Sequence, residues 1–482
     1  MNIRLPAKEL AYVLTGLMKI ASPHATLPVL RGLRITARDQ TVTITATDLD
    51  IFATYECRSA EVQTEGTIVI ADTKRLKTVV QNATKEEAVI RALNPDTCEV
   101  SLHGPKGDRI HVLVTIAPAE WPPTPDEIQT APVDPLFLEH YRMLIPFSSI
   151  DSSRHTLEGV CCEIMGDNHL MVATDGRRLT TANSISLPLN RTVIVPRNKF
   201  LAWPKLEGDT EVGVHAEHSW LRLICGSWDI AVRLIEGTYP NWRQVVPEHR
   251  HGSTRFQLAG DDAGILMEAL KTLPGGDQST KPVTLMTGTP HPRVAACDWE
   301  SGVWSYQVLP GSTWDGNELG ITINRDYLMD AVKAGFRTFD FENDMSPLLA
   351  RANGNMHVLM PVRGSLPPEL EEELERRRQK AEQEDSTTKE ESVSEPAEED
   401  NHEEEPQTRR EINRMIQPKK NADDQPDLWT QYQTIKEKAR ELNSAITELG
   451  QSLKSFHKEQ KTVRVELDNA RGVLAKLQSI NI

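Results

Sequence analysis

Residues 171–179, MVATDGRRL, put an Asp, a Gly and two Arg directly behind an apolar run. A carboxylate beside guanidinium groups on a turn is one way to build a general acid. The other groups that could do chemistry are the histidines of PEHRHGS (His249, His251) and of TPHPR (His291). None has a partner at a spacing that makes a triad, a metal set or a nucleophile–base pair. There is no GxSxG, no Gly-rich phosphate loop and no HExxH. The six cysteines, Cys57, Cys98, Cys161, Cys162, Cys225 and Cys297, form no C-x-x-C pair and read as small core residues of a protein kept reduced. An enzyme is therefore disfavoured, and neither metal nor cofactor is expected.

The elements around these residues repeat. TVTITATDLDIFATYE (residues 41–56) and NHLMVATDGRRLTTAN (168–183) share one plan, strand, Ala-Thr-Asp, strand, with the two Asp 127 residues apart. GTIVIADTKRLKTVV, RTVIVPRNKFLAW and ELGITINRDYLMDAV each run a β-branched strand into a short helix, and their last strand residues, Ile70, Val195 and Ile323, are 125 and 128 apart. A duplicated Asp at a strand end suits a turn, where its side chain bonds nearby backbone N–H groups, better than a catalytic acid. Residues 1–364 thus read as three copies of one α+β unit, at 1–124, 132–250 and 254–364, each a sheet with two helices on one face. The six helices are expected at 6–20, 73–83, 135–150, 196–207, 259–273 and 324–337.

Charge follows this division. The net −16 argues against nucleic acid until it is partitioned. Residues 365–425 carry −10 and residues 426–482 carry +2, leaving −8 on the repeats, within which the six expected helices sum to +5. Lys and Arg on a helix are by default a solvated face, and on charge alone that reading would win. The N-terminus has no secretion-type apolar region and no apolar run is long enough to span a membrane, so a cytoplasmic protein is expected.

ATLPVLRGLRI, TATDLD, ATDGRRL, VIVPR, EGTYPNWRQVVP, NDMSPLL and HVLMPVR occur in this order over residues 1–363. Together they resemble the bacterial DNA polymerase III beta subunit family, the sliding clamps. The resemblance implies the DNA clamp fold: three domains forming half of a ring, a head-to-tail homodimer that encircles double-stranded DNA, tethers DNA polymerase and is loaded by a clamp loader. It implies DNA contacts at His24, Lys74, Arg75, Lys77, Arg197 and Lys199, made to the backbone rather than to bases. It implies a dimer interface at His111, Leu113, Leu270 and Leu273. It implies a partner-peptide groove walled by Leu157, Thr174, Gly176, Arg177, Leu179, Pro240, Val245, Val358, Met360, Pro361 and Val362. Gln244 stands where the family often has Arg, and His24 where it often has a base. The competing reading is a clamp-like scaffold that does not encircle DNA and works through its tail.

That tail is the chain's departure from the family: 119 residues follow Arg363. Residues 365–425 are acidic and Pro-punctuated, and are expected to be a mostly disordered linker. From 426 to 482, apolar residues step by three and four, Ile435, Ala439, Leu442, Ile446, Leu449, Leu453 and Phe456, resuming at Val463 and ending at Leu477, as in a coiled-coil helix suited to self-association. Just before it, QPDLW (Gln425, Asp427, Leu428, Trp429) resembles the family's clamp-binding peptides and is a possible self-binding motif.

Overall fold

A computed structural model describes residues 1–362 apart from 82, 84, 105–106, 215–218, 248–252 and 289. The expected linker, coiled coil and QPDLW motif, and His249 and His251, lie outside the described residues. Within them are five α-helices: α1 (Ala7–Leu17), α2 (Thr73–Val80), α3 (Leu136–Leu144), α4 (Gly260–Thr272) and α5 (Arg325–Lys333). None is long and apolar enough to cross a membrane.

Each helix buries one stripe. In α1 it is Ala7, Leu10, Val13, Leu14 and Leu17, at the spacing of one helical face. In α2 it is Thr73, Leu76, Val79 and Val80, with Asp72 capping the N-terminus by accepting from Arg75 N at 2.8 Å. Asn324 caps α5 in the same way. The acidity of α4 is partly internal: Asp262 is buried and accepts from Ser312 Oγ at 2.6 Å.

The sixth expected helix, 196–207, is not formed. Asn198 Oδ1 accepts from Phe200 N and Leu201 N and Ala202 N–H closes one turn on Asn198 O, but Pro204 follows and cannot continue a ladder. The segment instead drives Phe200 and Trp203 into the core, where both meet Trp228, Trp203 meets Tyr12 of the first repeat, and Tyr55 packs on Trp228. Trp228 Nε1 donates to Tyr12 Oη at 3.2 Å. Gly16 of α1 makes room, since a Cβ there would lie 2.7 Å from the Trp203 ring.

The strands form a 13-stranded, a 9-stranded and a 4-stranded sheet. The two larger sheets exist because repeats join edge to edge. Ile51–Cys57 of the first repeat pairs antiparallel with Trp228–Arg233 of the second, with Tyr55 opposite Trp228. Arg178–Thr181 of the second pairs with Asn355–Leu359 of the third, with Thr180 opposite His357. The corresponding strands at the two ends are left open. Arg109–Ile116 pairs along its length with Thr97–His103 and meets Gly66–Ile70 only through Thr115 and Ile116. Trp304–Val308 pairs only with Arg293–Cys297.

Two expected interface residues are corrected by this register. Leu113 faces the core, 1% exposed, because side chains alternate along a strand; Ile110, Val112 and Val114 point outward, at 64%, 47% and 61%. Leu270 is fully buried in the third repeat's core. His111 and Leu273 are half-buried.

The duplicated Asp is a turn residue. Asp48 Oδ1 accepts from Asp50 N and Ile51 N, and Asp175 Oδ1 from Arg177 N and Arg178 N, at 2.9–3.1 Å. A third copy hides in the sequence CDWESG, where Asp298 Oδ1 accepts from Glu300 N and Ser301 N. After the first two Asp the chain turns left-handed, at Gly176 with φ 85° but at Leu49 with φ 82°. A non-glycine residue costs about 1–2 kcal/mol there. Leu49 is exposed, so Leu49→Gly should stabilise the protein by roughly 0.5–1 kcal/mol after glycine's greater unfolded-state entropy is deducted. A thermal melt reads this directly, and a lower Tm contradicts the strain.

Candidate functional site

Arg178 follows the Asp175 turn and is shared between the second and third repeats. Its side chain is only 8% exposed. Nε donates to Asp175 Oδ2 at 3.0 Å, Nη1 to Asp330 Oδ2 of α5 at 2.7 Å and Nη2 to the Pro146 carbonyl at 2.9 Å. The guanidinium lies over the Tyr327 and Phe147 rings, at 4.2 and 5.1 Å. It therefore clamps the second repeat to the third beside the Arg178–Thr181/Asn355–Leu359 strand pair. Behind it, His357 is fully buried between Phe147 and Phe336, with Nδ1 2.8 Å from Thr180 Oγ1. Burial first, and the Arg178 charge second, push its pKa down to about 3, so the ring is neutral.

The outer side of this junction is a groove. A cavity of about 250 Å³ is lined by Leu157, Thr174, Gly176, Arg177, Arg178, Leu179, Pro240, Asn241, Trp242, Val245, Val358 and Met360. Leu157, Leu179 and Val358 are its buried floor, and Val245, Pro240 and Arg177 its exposed rim. Nine of the eleven residues expected from sequence line it. Pro361 and Val362 do not: they carry the chain onward, with Val362 N donating to Thr322 O at 2.9 Å. Gly176 sits beneath a second rim cation, Arg154, whose Nη1 donates to Asp175 O at 3.1 Å.

Sequence reasoning missed Arg154 and Trp242. Trp242 is the groove's side wall, held by Glu163, which accepts from its Nε1 at 3.0 Å and from Arg243 Nη1 at 2.8 Å. The aromatic–Pro turn YPNW was its only signal. Beyond this wall lies a larger cavity, about 630 Å³, that shares Pro240, Asn241 and Trp242 with the groove. Gln244 is exposed and lines neither.

Of the expected DNA contacts, Lys74 and Arg75 are exposed on α2 and Lys77 is half-buried there. Lys199 and His24 are exposed in turns. Arg197 is exposed, with Nη2 donating to the Ile145 and Ser148 carbonyls at 2.6 and 2.9 Å and Nε to Ser148 Oγ, so most of its donors are also used inside the second repeat. Among the described residues no group of three His, Cys, Asp or Glu could hold a metal.

A fold of edge-joined repeats with a groove at the second junction defines a clamp-type protein, and comparison with known proteins agrees. The DNA polymerase III beta subunit N-terminal domain matches residues 1–112, and the central domain of the same subunit matches residues 145–241. The beta sliding clamp of Pseudomonas aeruginosa is 25% identical over 365 residues, covering 71% of this chain and 95% of that protein. That of Staphylococcus aureus is 24% identical over 381 residues, covering 73% and 96%. The crystal structure of the DNA polymerase sliding clamp from Bacillus subtilis superposes with a TM-score of 0.65 at 19% identity, covering 76% of this chain and all of that one. Family models, curated relatives and solved structures all identify the bacterial DNA polymerase III beta sliding clamp family.

Two outcomes follow at the junction. Arg178→Met leaves Asp175 and Asp330 without their shared cation, and should destabilise the protein by about 3–5 kcal/mol; a change below 1 kcal/mol in a denaturation midpoint contradicts the clamping role. For His357, the folded pKa of about 3 lies below the ordinary 6.5. The unfolded state therefore binds the extra proton, and stability that is full above pH 6.5 is lost as pH falls toward 3. The loss at pH 5 is roughly 2 kcal/mol. His357→Gln should flatten the fall in Tm between pH 7.5 and 5, and an unchanged slope places the acid lability elsewhere.

Proposed function

We propose that two copies of this chain close head to tail around duplex DNA and tether a DNA polymerase to its template. The open strands at 109–116 and 304–308 carry this reading. Each repeat offers one strand of each type. Two such pairs are used inside the chain, and one strand of each type remains at opposite ends. A second copy, turned head to tail, satisfies both, which is a heterologous contact that closes. The outward side chains suit burial: Ile110, Val112 and Val114 on one edge, Val303 and Val308 on the other.

The remaining features fit the task. Lys74, Arg75 and Lys199, none in an ion pair among the described residues, supply sequence-independent attraction weak enough to permit sliding. The groove takes an extended peptide that drops large apolar side chains onto Leu179 and Val358. Partners would include a clamp loader, which must open a ring that has no free end. The protein works without an active site of its own.

Hydrogen exchange of the full-length protein tests the closure independently of any self-association by the tail. In the wild type, amides within 109–114 should be protected beyond what pairing with Thr97–His103 provides. Ile110→Lys with Val112→Lys should release that extra protection and halve the mass of any assembly not held by the tail. Equal exchange in both proteins contradicts edge-to-edge closure.

A further inference from the structure

We propose that the first repeat carries a binding site for a carboxylate, built from Arg34 and Trp121. The second repeat shows the pattern complete. There the Arg243 guanidinium lies 4.3 Å from the centre of the Trp242 ring, and one acid closes the pair: Glu163 accepts from Trp242 Nε1 at 3.0 Å and from Arg243 Nη1 at 2.8 Å. The first repeat builds the same pair without the acid. The Arg34 guanidinium lies 5.2 Å from the centre of the Trp121 ring. Strand register shows which residue has changed. Leu33–Arg38 pairs with Gly66–Ile70 as Gly159–Met165 pairs with Val193–Pro196, so Arg34 stands opposite Val69 as Cys161 stands opposite Ile194. Two residues further along each strand, Thr36 takes the place of Glu163. The Thr36 hydroxyl is engaged by Thr67 Oγ1, which donates to it at 3.3 Å.

The donors are left over. Arg34 Nε and Trp121 Nε1 are both enclosed and bond to no described residue. Burial pushes the Arg34 pKa down, with no acid beside it to oppose the shift. An enclosed guanidinium N–H and an indole N–H without acceptors are costly, and a carboxylate answers both, with two acceptor oxygens and the opposite charge. Arg34 is half-buried and only Nε of its nitrogens is enclosed, so an acid can meet the guanidinium from solvent with the indole behind it. The position also narrows the ligand. Leu33 and Ile35 point into the core shared with α1 and α2, so Arg34 and Thr36 face the opposite side of the sheet. Trp121 lies there in a small cluster with Val29, Leu30 and Val69. That side is away from α2, which carries the proposed DNA contacts Lys74 and Arg75, so the ligand is not the phosphate backbone. It is an organic acid, either a free small molecule or an acidic side chain of a docked polypeptide.

The test uses full-length protein, isotopically labelled in its tryptophan indoles and read by NMR, with the Trp121 signal identified as the one lost in Trp121→Phe. Titration with benzoate should move that signal saturably. Benzamide, which keeps the ring and lacks the charge, should leave it in place, as should sodium chloride at matched ionic strength. Arg34→Met, which keeps the apolar stem, should remove the benzoate response. Thr36→Glu returns an acid to the position of Glu163. It should also remove the response, and should raise the Tm by about 2 °C over Thr36→Gln. The capped peptide acetyl-Leu-Glu-Leu-amide, titrated in parallel, separates the two sources: tighter binding than benzoate identifies a docked side chain, weaker binding a free acid. The proposal is overturned if the Trp121 signal ignores both carboxylates, if benzamide or chloride moves it equally, or if Arg34→Met responds as wild type does. A Thr36→Glu protein that gains nothing over Thr36→Gln and still responds to benzoate overturns it as well.

Discussion

An open sheet edge must be paired or protected, and this constraint organises the whole molecule. Each repeat ends its sheets in strands that lack a neighbour within the repeat, so the repeats cannot stand apart. Tyr55 opposite Trp228 and Thr180 opposite His357 are the centres of the two internal solutions. The first is sealed by tilted and edge-to-face aromatic rings around Gly16, and the second by the Arg178 clamp. The same constraint, applied to the strands left over at the ends, calls for a second copy. The proposed ring closure is thus the third use of a contact that the chain already makes twice.

The second junction shows why stability and recognition share residues. The turn that Asp175 caps places Gly176 and Arg177 at the groove rim and sends Arg178 inward to α5. One four-residue unit therefore fixes how the second and third repeats meet and shapes the groove rim on the outside. The first repeat has the same turn with Leu-Asp-Ile in place of Gly-Arg-Arg, and there Ile51 enters the strand that pairs with Trp228–Arg233. The groove arises where the turn carries glycine and arginine, from a corner whose backbone bonding is common to both repeats.

Much of this was legible in the sequence because repetition separates what is structural from what is particular. The 127-residue echo identified Asp48 and Asp175 as turn residues, and hydrogen bonding from the following N–H groups bears that out. Asp298 was missed because two extra residues in its loop disguise the motif. Leu113 was misjudged because an apolar strand is compatible with either register, and which face is covered depends on a sheet assembled from distant segments. The helix at 196–207 failed at Pro204, a local signal outweighed by analogy with its neighbours. Arg197 and Arg178 look alike as bases in sequence, yet both spend their donors on carbonyls and carboxylates that only folding brings near. Trp242 gave no pattern beyond its turn, since its role depends on Glu163 across the groove wall.

The central claim is a topological link between protein and DNA. It is tested by loading the full-length protein onto nicked circular DNA with its clamp loader and ATP, and then cutting the circle. Protein that stays bound at moderate salt on the circle and leaves once the DNA is linear is held by encirclement, as the closed ring requires. Equal retention on circle and line, or none on either with an active loader, contradicts the ring and points to a scaffold that works through its tail.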